Sequence, residues 1–250
     1  MDETVDLPTI RKIPQVTVPE KYQPSRLEKS IRKFENEEVV TGQILFYGHS
    51  DFTRWTGDPN YSLPSAGSYL KDDMTTPAGN KPCINHGFGS STLYDLCYFY
   101  ERAVLKWQPK ALVIATYSND GQFSDADEIL LLDWLMKQIH EDMPECKVFL
   151  LDCPPNPKAE ITGDSKINRR MALNEKAASL VSHFDWVTLI EMSKYPDFYK
   201  DAASAGTYKN LRTELFLPDN THLTPEGYKV FTKMLKEALA DVLISYDKPV

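Results

Sequence analysis

The 250-residue sequence lacks an excess of positive charge, long apolar runs and closely spaced cysteine pairs. Lysine and arginine total 28 against 36 aspartates and glutamates, a formal net charge of −8, and the two signs are interspersed. That balance excludes the basic footprint that holds nucleic acid or an anionic membrane, and leaves small neutral or cationic substrates open. No window approaches 18 consecutive apolar residues, and the acidic start MDETVDLPTIRKIPQ has no apolar leader core, so neither a membrane span nor a secretory signal is expected. Cys83, Cys97, Cys146 and Cys153 show no CxxC spacing and lie in or beside apolar runs. Buried free thiols in a reducing compartment follow, and with them a soluble, cytoplasmic protein. No lid sequence, carbohydrate-binding stripe or lipid-facing amphipathic segment stands out.

What the chain does have is an alternation of short apolar runs with helical patterns, enough for one sizeable core. Strands are expected at Gln43–Tyr47, Pro82–Asn85, Ala111–Thr116, Lys147–Leu151 and Trp186–Ile190. Helices are expected after Ser91 or Thr92, over Asp125–Glu141 with Ser124 as cap, over Lys166–Ser182, and from Thr224-Pro225 to about Leu243. This series predicts an α/β fold with a doubly wound, mostly parallel five-stranded sheet and right-handed crossovers. It occupies residues 41–250 as a single domain. Residues 1–40 are read as an arm carrying Pro8, Pro14, Pro19 and Pro24, then a short helix packed on the domain. Ser25 and Glu28 fit a capping box for that helix, with Leu27, Ile31 and Phe34 on one face.

Polar residues gather where the strands end. The first strand stops at Gly48, His49 and Ser50, which presents a hydroxyl at the carboxyl edge of a sheet, where open α/β folds place reactive groups. The second runs into His86, Gly87, Phe88, Gly89, Ser90 and Ser91, a turn whose backbone N–H groups suit an oxyanion. The third leads to Tyr117, Ser118, Asn119 and Asp120, and Asp219 lies three residues before His222 just ahead of the last helix. At that spacing a carboxylate reaches the imidazole and fixes its tautomer. A serine needs such a base, an orienting carboxylate and oxyanion donors to act as a nucleophile. The segment between Asp51 and Pro82 is long enough to wall a substrate site, with Trp55, Tyr61 and Tyr69 as lining or ordinary packing. His86 reads as a hydrogen-bonded turn histidine rather than a substrate contact. A metal site from His49, Asp51, Asp219 and His222 is conceivable by residue type, but two of these have better employment in the triad.

Four stretches, GHS at Gly48–Ser50, NHGFGSS at Asn85–Ser91, SND at Ser118–Asp120 and DNTH at Asp219–His222, resemble the four blocks of the SGNH hydrolases, the GDSL esterase and lipase superfamily. Phe52 stands where the elbow G-x-S-x-G of the α/β-hydrolases has its last glycine, which separates the chain from that family. The resemblance implies a flavodoxin-like three-layer α/β/α sandwich and a serine esterase acting on acetyl or short acyl esters through an acyl-enzyme, without metal or cofactor. It maps the nucleophile to Ser50, the acid to Asp219, the base to His222, and the oxyanion hole to Ser50, Gly89, Ser90 and Asn119. Ser90 replaces the family's oxyanion glycine, which matters if that position needs a positive φ. Tyr117 replaces another glycine and narrows the pocket or packs under its loop; with His49, which replaces the motif's aspartate, it is taken as substrate-binding. The implied substrate is a small-molecule or glycan acyl ester. Two other readings use the same residues: an acyltransferase with the same triad, and a non-catalytic binding protein on the same fold.

Overall fold

Five apolar runs form the strands of one parallel sheet: β1 (Ile44–Gly48), β2 (Cys83–Gly87), β3 (Ala111–Ala115), β4 (Lys147–Leu151) and β5 (Val187–Ile190), in the order β2-β1-β3-β4-β5. These are taken from a computed structural model that describes residues 12–56, 68–116 and 123–248. The register sets Gly48 beside Gly87 and Ala115, Ala115 beside Leu151, and Leu151 beside Ile190. All five carboxyl ends therefore lie along one edge. The chain turns from β1 outward to β2 and then crosses to β3 on the other side of β1, so the topological switch lies between β1 and β3, where open sheets of this order bind ligands.

Successive strand residues face opposite sides of the sheet, and each side has its own core. Leu45 and Tyr47, Leu112 and Ile114, and Val148 and Leu150 face one helical layer. It is built from α1 (Glu28–Glu35), α4 (Leu93–Ala103), α5 (Asp125–Asp142) and α7 (Asp164–Val181). Ile44 and Phe46, Ala111 and Val113, and Phe149 and Leu151 face the other. That layer holds α2 (Ser50–Thr53), α3 (Leu70–Asp73), α8 (Pro225–Ala238) and α9 (Ala240–Ser245). The arrangement is a three-layer α/β/α sandwich. Each fully buried Leu, Ile or Phe contributes about 1.5–3 kcal/mol.

Several boundaries differ from the sequence reading. Ser25 does not cap α1: it lies in a 3₁₀ turn over Pro24–Leu27, Leu27 takes the N-cap position without a side-chain bond, and the Glu28 carboxylate instead receives Arg102 at 3.0 and 2.7 Å. The expected face nevertheless holds, for Leu27, Ile31 and Phe34 are buried. A helix missed in sequence, α6 (Pro157–Thr162), separates β4 from α7, with Asn156 as its N-cap and proline at its first position. The final helix breaks at Leu239 into α8 and α9, and no glycine or proline marks the break. Thr92 and Ser124 cap α4 and α5 as read. All four cysteines are buried and free. Among the described residues no helix is long and apolar enough to cross a membrane.

Candidate active site

The site begins with a backbone that only glycine tolerates. Gly48 ends β1 at φ +146°, and a Cβ there would lie 2.2 Å from the Ala115 carbonyl oxygen. Gly87 ends β2 so close to α2 that a Cβ would meet the Thr53 nitrogen at 2.3 Å. These close approaches bring the first turn of α2, and hence Ser50, against the ends of both neighbouring strands. His49 is the N-cap of α2, its Nδ1 accepting the Asp51 N–H at 3.3 Å. From the far side Tyr228 of α8 donates its hydroxyl to the Asp51 carbonyl at 2.6 Å. Asn85 donates to the Phe52 carbonyl at 2.8 Å. Ser50 thus sits on a turn fastened at both ends.

His222 and Asp219 are held in a turn between Phe216 and Leu223, which form an antiparallel bridge. Leu217 N–H donates to the His222 carbonyl at 2.7 Å, and Asp219 Oδ1 accepts the backbone N–H groups of Thr221 and His222, both at 3.0 Å. The other carboxylate oxygen lies 2.6 Å from His222 Nδ1, and His222 Nε2 lies 2.9 Å from Ser50 Oγ. Burial raises the Asp219 carboxyl, but the donors from His222 and Thr221 outweigh it and hold the group down at about 2. Asp219 is therefore an anion at neutral pH. It accepts a hydrogen bond from Nδ1–H, which keeps the ring proton there and leaves Nε2 free to accept from the serine hydroxyl. A chain of this kind can move a proton from the hydroxyl to the imidazole while the carboxylate stabilises the cation formed.

The turn after β2 completes one wall. A Cβ on Gly89 would lie 3.8 Å from the Ser50 Cβ, so this turn abuts the hydroxyl. Ser90 has φ +66°, the left-handed region anticipated as the risk of replacing a glycine here. Its conformation is clamped from the N-terminal segment: Arg26 Nη2 donates to the Ser90 carbonyl at 3.1 Å, and the same guanidinium forks onto Asp95 at 3.0 and 2.5 Å. Asp95 also closes the capping box of α4 by accepting the Thr92 N–H at 2.8 Å, and its side chain is wholly buried.

Ser50, Gly89, Ser90, Asp219 and His222 line a single cavity of about 510 Å³, a size usual for small-molecule pockets. Asn119, Tyr117 and Tyr61 lie outside the described residues. His49 does not line the cavity: it is buried, its ring turned to Asp51, and burial keeps it less basic than usual. Trp55 is core, stacked on Tyr228, whereas Tyr69 is exposed on the surface. His86 is buried in β2, with Nδ1 2.6 Å from the Ala103 carbonyl and its ring stacked on Phe34, away from the cavity.

The sequence reading missed the opposite wall. Asn156, Lys158, Lys166 and Arg170, from the start of α6 and the first turns of α7, line the cavity together with Arg54. Among the described residues, Asp219 is the one carboxylate in that lining. The described lining is therefore locally cationic on a chain of net charge −8.

No protein-family model and no curated protein matches the chain in sequence; solved structures match its fold. A GDSL-like lipase from Bacteroides thetaiotaomicron superposes with a TM-score of 0.63 at 15% identity, covering 88% of this chain and 100% of the other. A lipase/acylhydrolase from Enterococcus faecalis gives 0.60 at 18% identity over 80% and 95%. The acetylxylan esterase Axe2 from Geobacillus stearothermophilus gives 0.57 at 13% identity over 80% and 95%. The fold is that of the SGNH hydrolases.

Proposed function

We propose that the protein is a serine esterase that cleaves acetyl or other short acyl esters through an acyl-enzyme. The observation that carries this reading is the unbroken hydrogen-bonded line from Ser50 through His222 to Asp219 inside a cavity. Ser50 Oγ attacks the ester carbonyl as His222 Nε2 takes its proton. The imidazolium, held by Asp219, returns that proton to the departing alcohol oxygen, leaving an acyl group on Ser50. Water then attacks the acyl carbon while losing a proton to His222, and the imidazolium returns that proton to Ser50 Oγ as the bond to the acyl group breaks and the acid leaves. The negative oxygen of each tetrahedral intermediate is assigned to the backbone N–H groups of Ser50 and of the Gly89–Ser90 turn and to the Asn119 amide. Acylhydrolases and an acetylxylan esterase among the proteins of like fold support ester hydrolysis in general, and make acetyl groups on glycan or small-molecule alcohols the first class to test.

The test is hydrolysis of chromogenic esters from acetyl to octanoyl by the wild type and Ser50→Ala. Turnover of the short esters that is abolished in Ser50→Ala, with fluorophosphonate labelling of Ser50, is the expected result. Equal inertness of both proteins, with no labelling, overturns the reading in favour of a binding protein. Release of product much faster with an added acceptor alcohol than in water marks a transferase.

A further inference from the structure

Lys158, Lys166 and Arg170 converge on the active-site cavity from two successive helices. Among the described residues, no carboxylate forms an ion pair with any of the three. Cations nearby but outside the cavity lining are paired: Arg169 with Glu128 at 2.7 Å, Lys176 with Asp125 at 2.7 Å and Lys209 with Asp164 at 2.8 Å. Arg170 is only 7% exposed, yet among the described residues its guanidinium meets only the Pro154 carbonyl, at 2.6 Å, and the face of the Tyr208 ring, 5.9 Å away. That carbonyl uses one of five guanidinium donors. Burying an arginine without an anion is costly, and the cost is offset when a ligand supplies the anion. Lys166 is half-buried, and burial first, then the charges of Arg170 and Lys158, make it easier to deprotonate than an ordinary lysine. Three like charges crowded against each other beside the reactive serine are the expected signature of a site that receives negative charge.

The placement of these cations also indicates which part of an ester they meet. The oxyanion turn follows β2, on one side of Ser50, whereas the cations follow β4, on the other. The backbone N–H of Lys158 donates to the Asn220 carbonyl at 2.9 Å, which ties this wall to the turn that carries His222. His222 is the group that hands a proton to the departing alcohol. We propose that the leaving alcohol of the natural substrate carries an acidic group, a carboxylate, phosphate or sulfate, seated by Lys158, Lys166 and Arg170. This rests on the esterase reading above and narrows its substrate class.

The experiment compares matched esters: 4-acetoxybenzoate against its methyl ester, which places the acid on the alcohol, and the 4-nitrophenyl monoester of succinate against 4-nitrophenyl butyrate, which places it on the acyl group. The ratio of kcat/KM within each pair is measured for the wild type and for Lys158→Gln/Lys166→Gln, whose fold is checked by circular dichroism. At low salt the acid on the alcohol is expected to raise kcat/KM at least about tenfold, the preference shrinking toward one at about 0.5 M salt as screening sets in. It should fall to within about twofold in the double variant. A ratio near one in the wild type, a ratio unmoved by the double variant, or a preference confined to the succinate pair overturns the proposal. Failure of the esterase reading is distinguishable, because it abolishes turnover of the neutral esters as well. In that event calorimetric titration of 4-acetoxybenzoate decides: binding that the double variant loses upholds the acidic-ligand site, and no binding to the wild type overturns it.

Discussion

Replacement of Arg26 by alanine tests whether the stretch ahead of α1 takes part in catalysis. Ser90 is held at φ +66°, where a residue with a side chain is strained by about 1–2 kcal/mol. Arg26 opposes that strain by donating to the Ser90 carbonyl while anchored on buried Asp95. Without it the turn relaxes by the strain it was storing, and 1–2 kcal/mol corresponds to roughly a five- to thirtyfold fall in the population that presents the Ser90 N–H. The ceiling is the complete loss of one oxyanion donor, about a hundred- to a thousandfold. Arg26→Ala should therefore lower kcat on 4-nitrophenyl acetate about five- to thirtyfold with little change in KM. It should also lower the urea midpoint, because Asp95 loses its counter-ion. The second effect is separated from the first by adding Ser90→Gly. Glycine adopts positive φ without strain, so the double variant should regain most of kcat while remaining less stable. Refutation is a folded Arg26→Ala protein with unchanged kcat, or a kcat that Ser90→Gly fails to restore.

Two further outcomes follow from named contacts. Asp219→Asn keeps one oxygen for the backbone N–H groups but turns an amide toward His222 Nδ1, favouring the wrong tautomer; kcat should fall about ten-thousandfold with KM nearly kept, and a loss under about tenfold in steady-state assays would refute the orienting role. Asp152 is buried beneath Ser193, and burial, against the Ser193 donors, pushes its carboxyl up to about 7. The folded state thus holds a proton that the unfolded chain releases near 4. The stability this contributes is fully present below about pH 4 and is lost as pH rises to about 7, with a slope of at most about 1.4 kcal/mol per pH unit. Urea midpoints between pH 4.5 and 7 should fall more steeply for the wild type than for Asp152→Asn; parallel slopes would sink the assignment.

The middle of the sheet was legible in sequence because β1, β3 and β4 are buried on both faces and read as apolar runs. β3 and β4 fall where expected nearly to the residue. β5 starts one residue later, and β2 continues through His86 to Gly87, because the second strand is short of apolar residues and its pairing with β1 carries it further than its composition suggests. Asp219 and His222 were legible for a different reason. The aspartate, the histidine and their linking backbone lie within one turn, so three-residue spacing alone determines that their side chains meet. The link to Ser50 spans 172 positions and follows from topology, since both segments end at the carboxyl edge of β1. The capping box at Ser25 and Glu28 failed because a distant residue competes: Arg102 takes the glutamate, and Pro24 starts a tighter turn.

The cationic wall illustrates what summed charge conceals. Lys166 and Arg170 are four residues apart on α7 and share a face, but Lys158 belongs to α6; on a single continuous helix it would lie about 18 Å from Arg170 along the axis. They converge because the chain folds back at Gly163, whose φ of +109° ends α6 and begins α7 without a gap. Asn156 followed by Pro157 starts α6 at once after β4, which places Lys158 at the edge of the sheet that carries Ser50. Asn-Pro as a helix start and glycine as its stop are readable in the sequence. The closely spaced prolines of Cys153–Pro157 look like a turn and conceal the helix that follows, and with it the reason why Lys158, Lys166 and Arg170 of an acidic chain line the cavity beside Ser50. An overall charge of −8 governs solubility and long-range repulsion. The charge a ligand meets is that of the cavity wall, and over the described residues it is positive there.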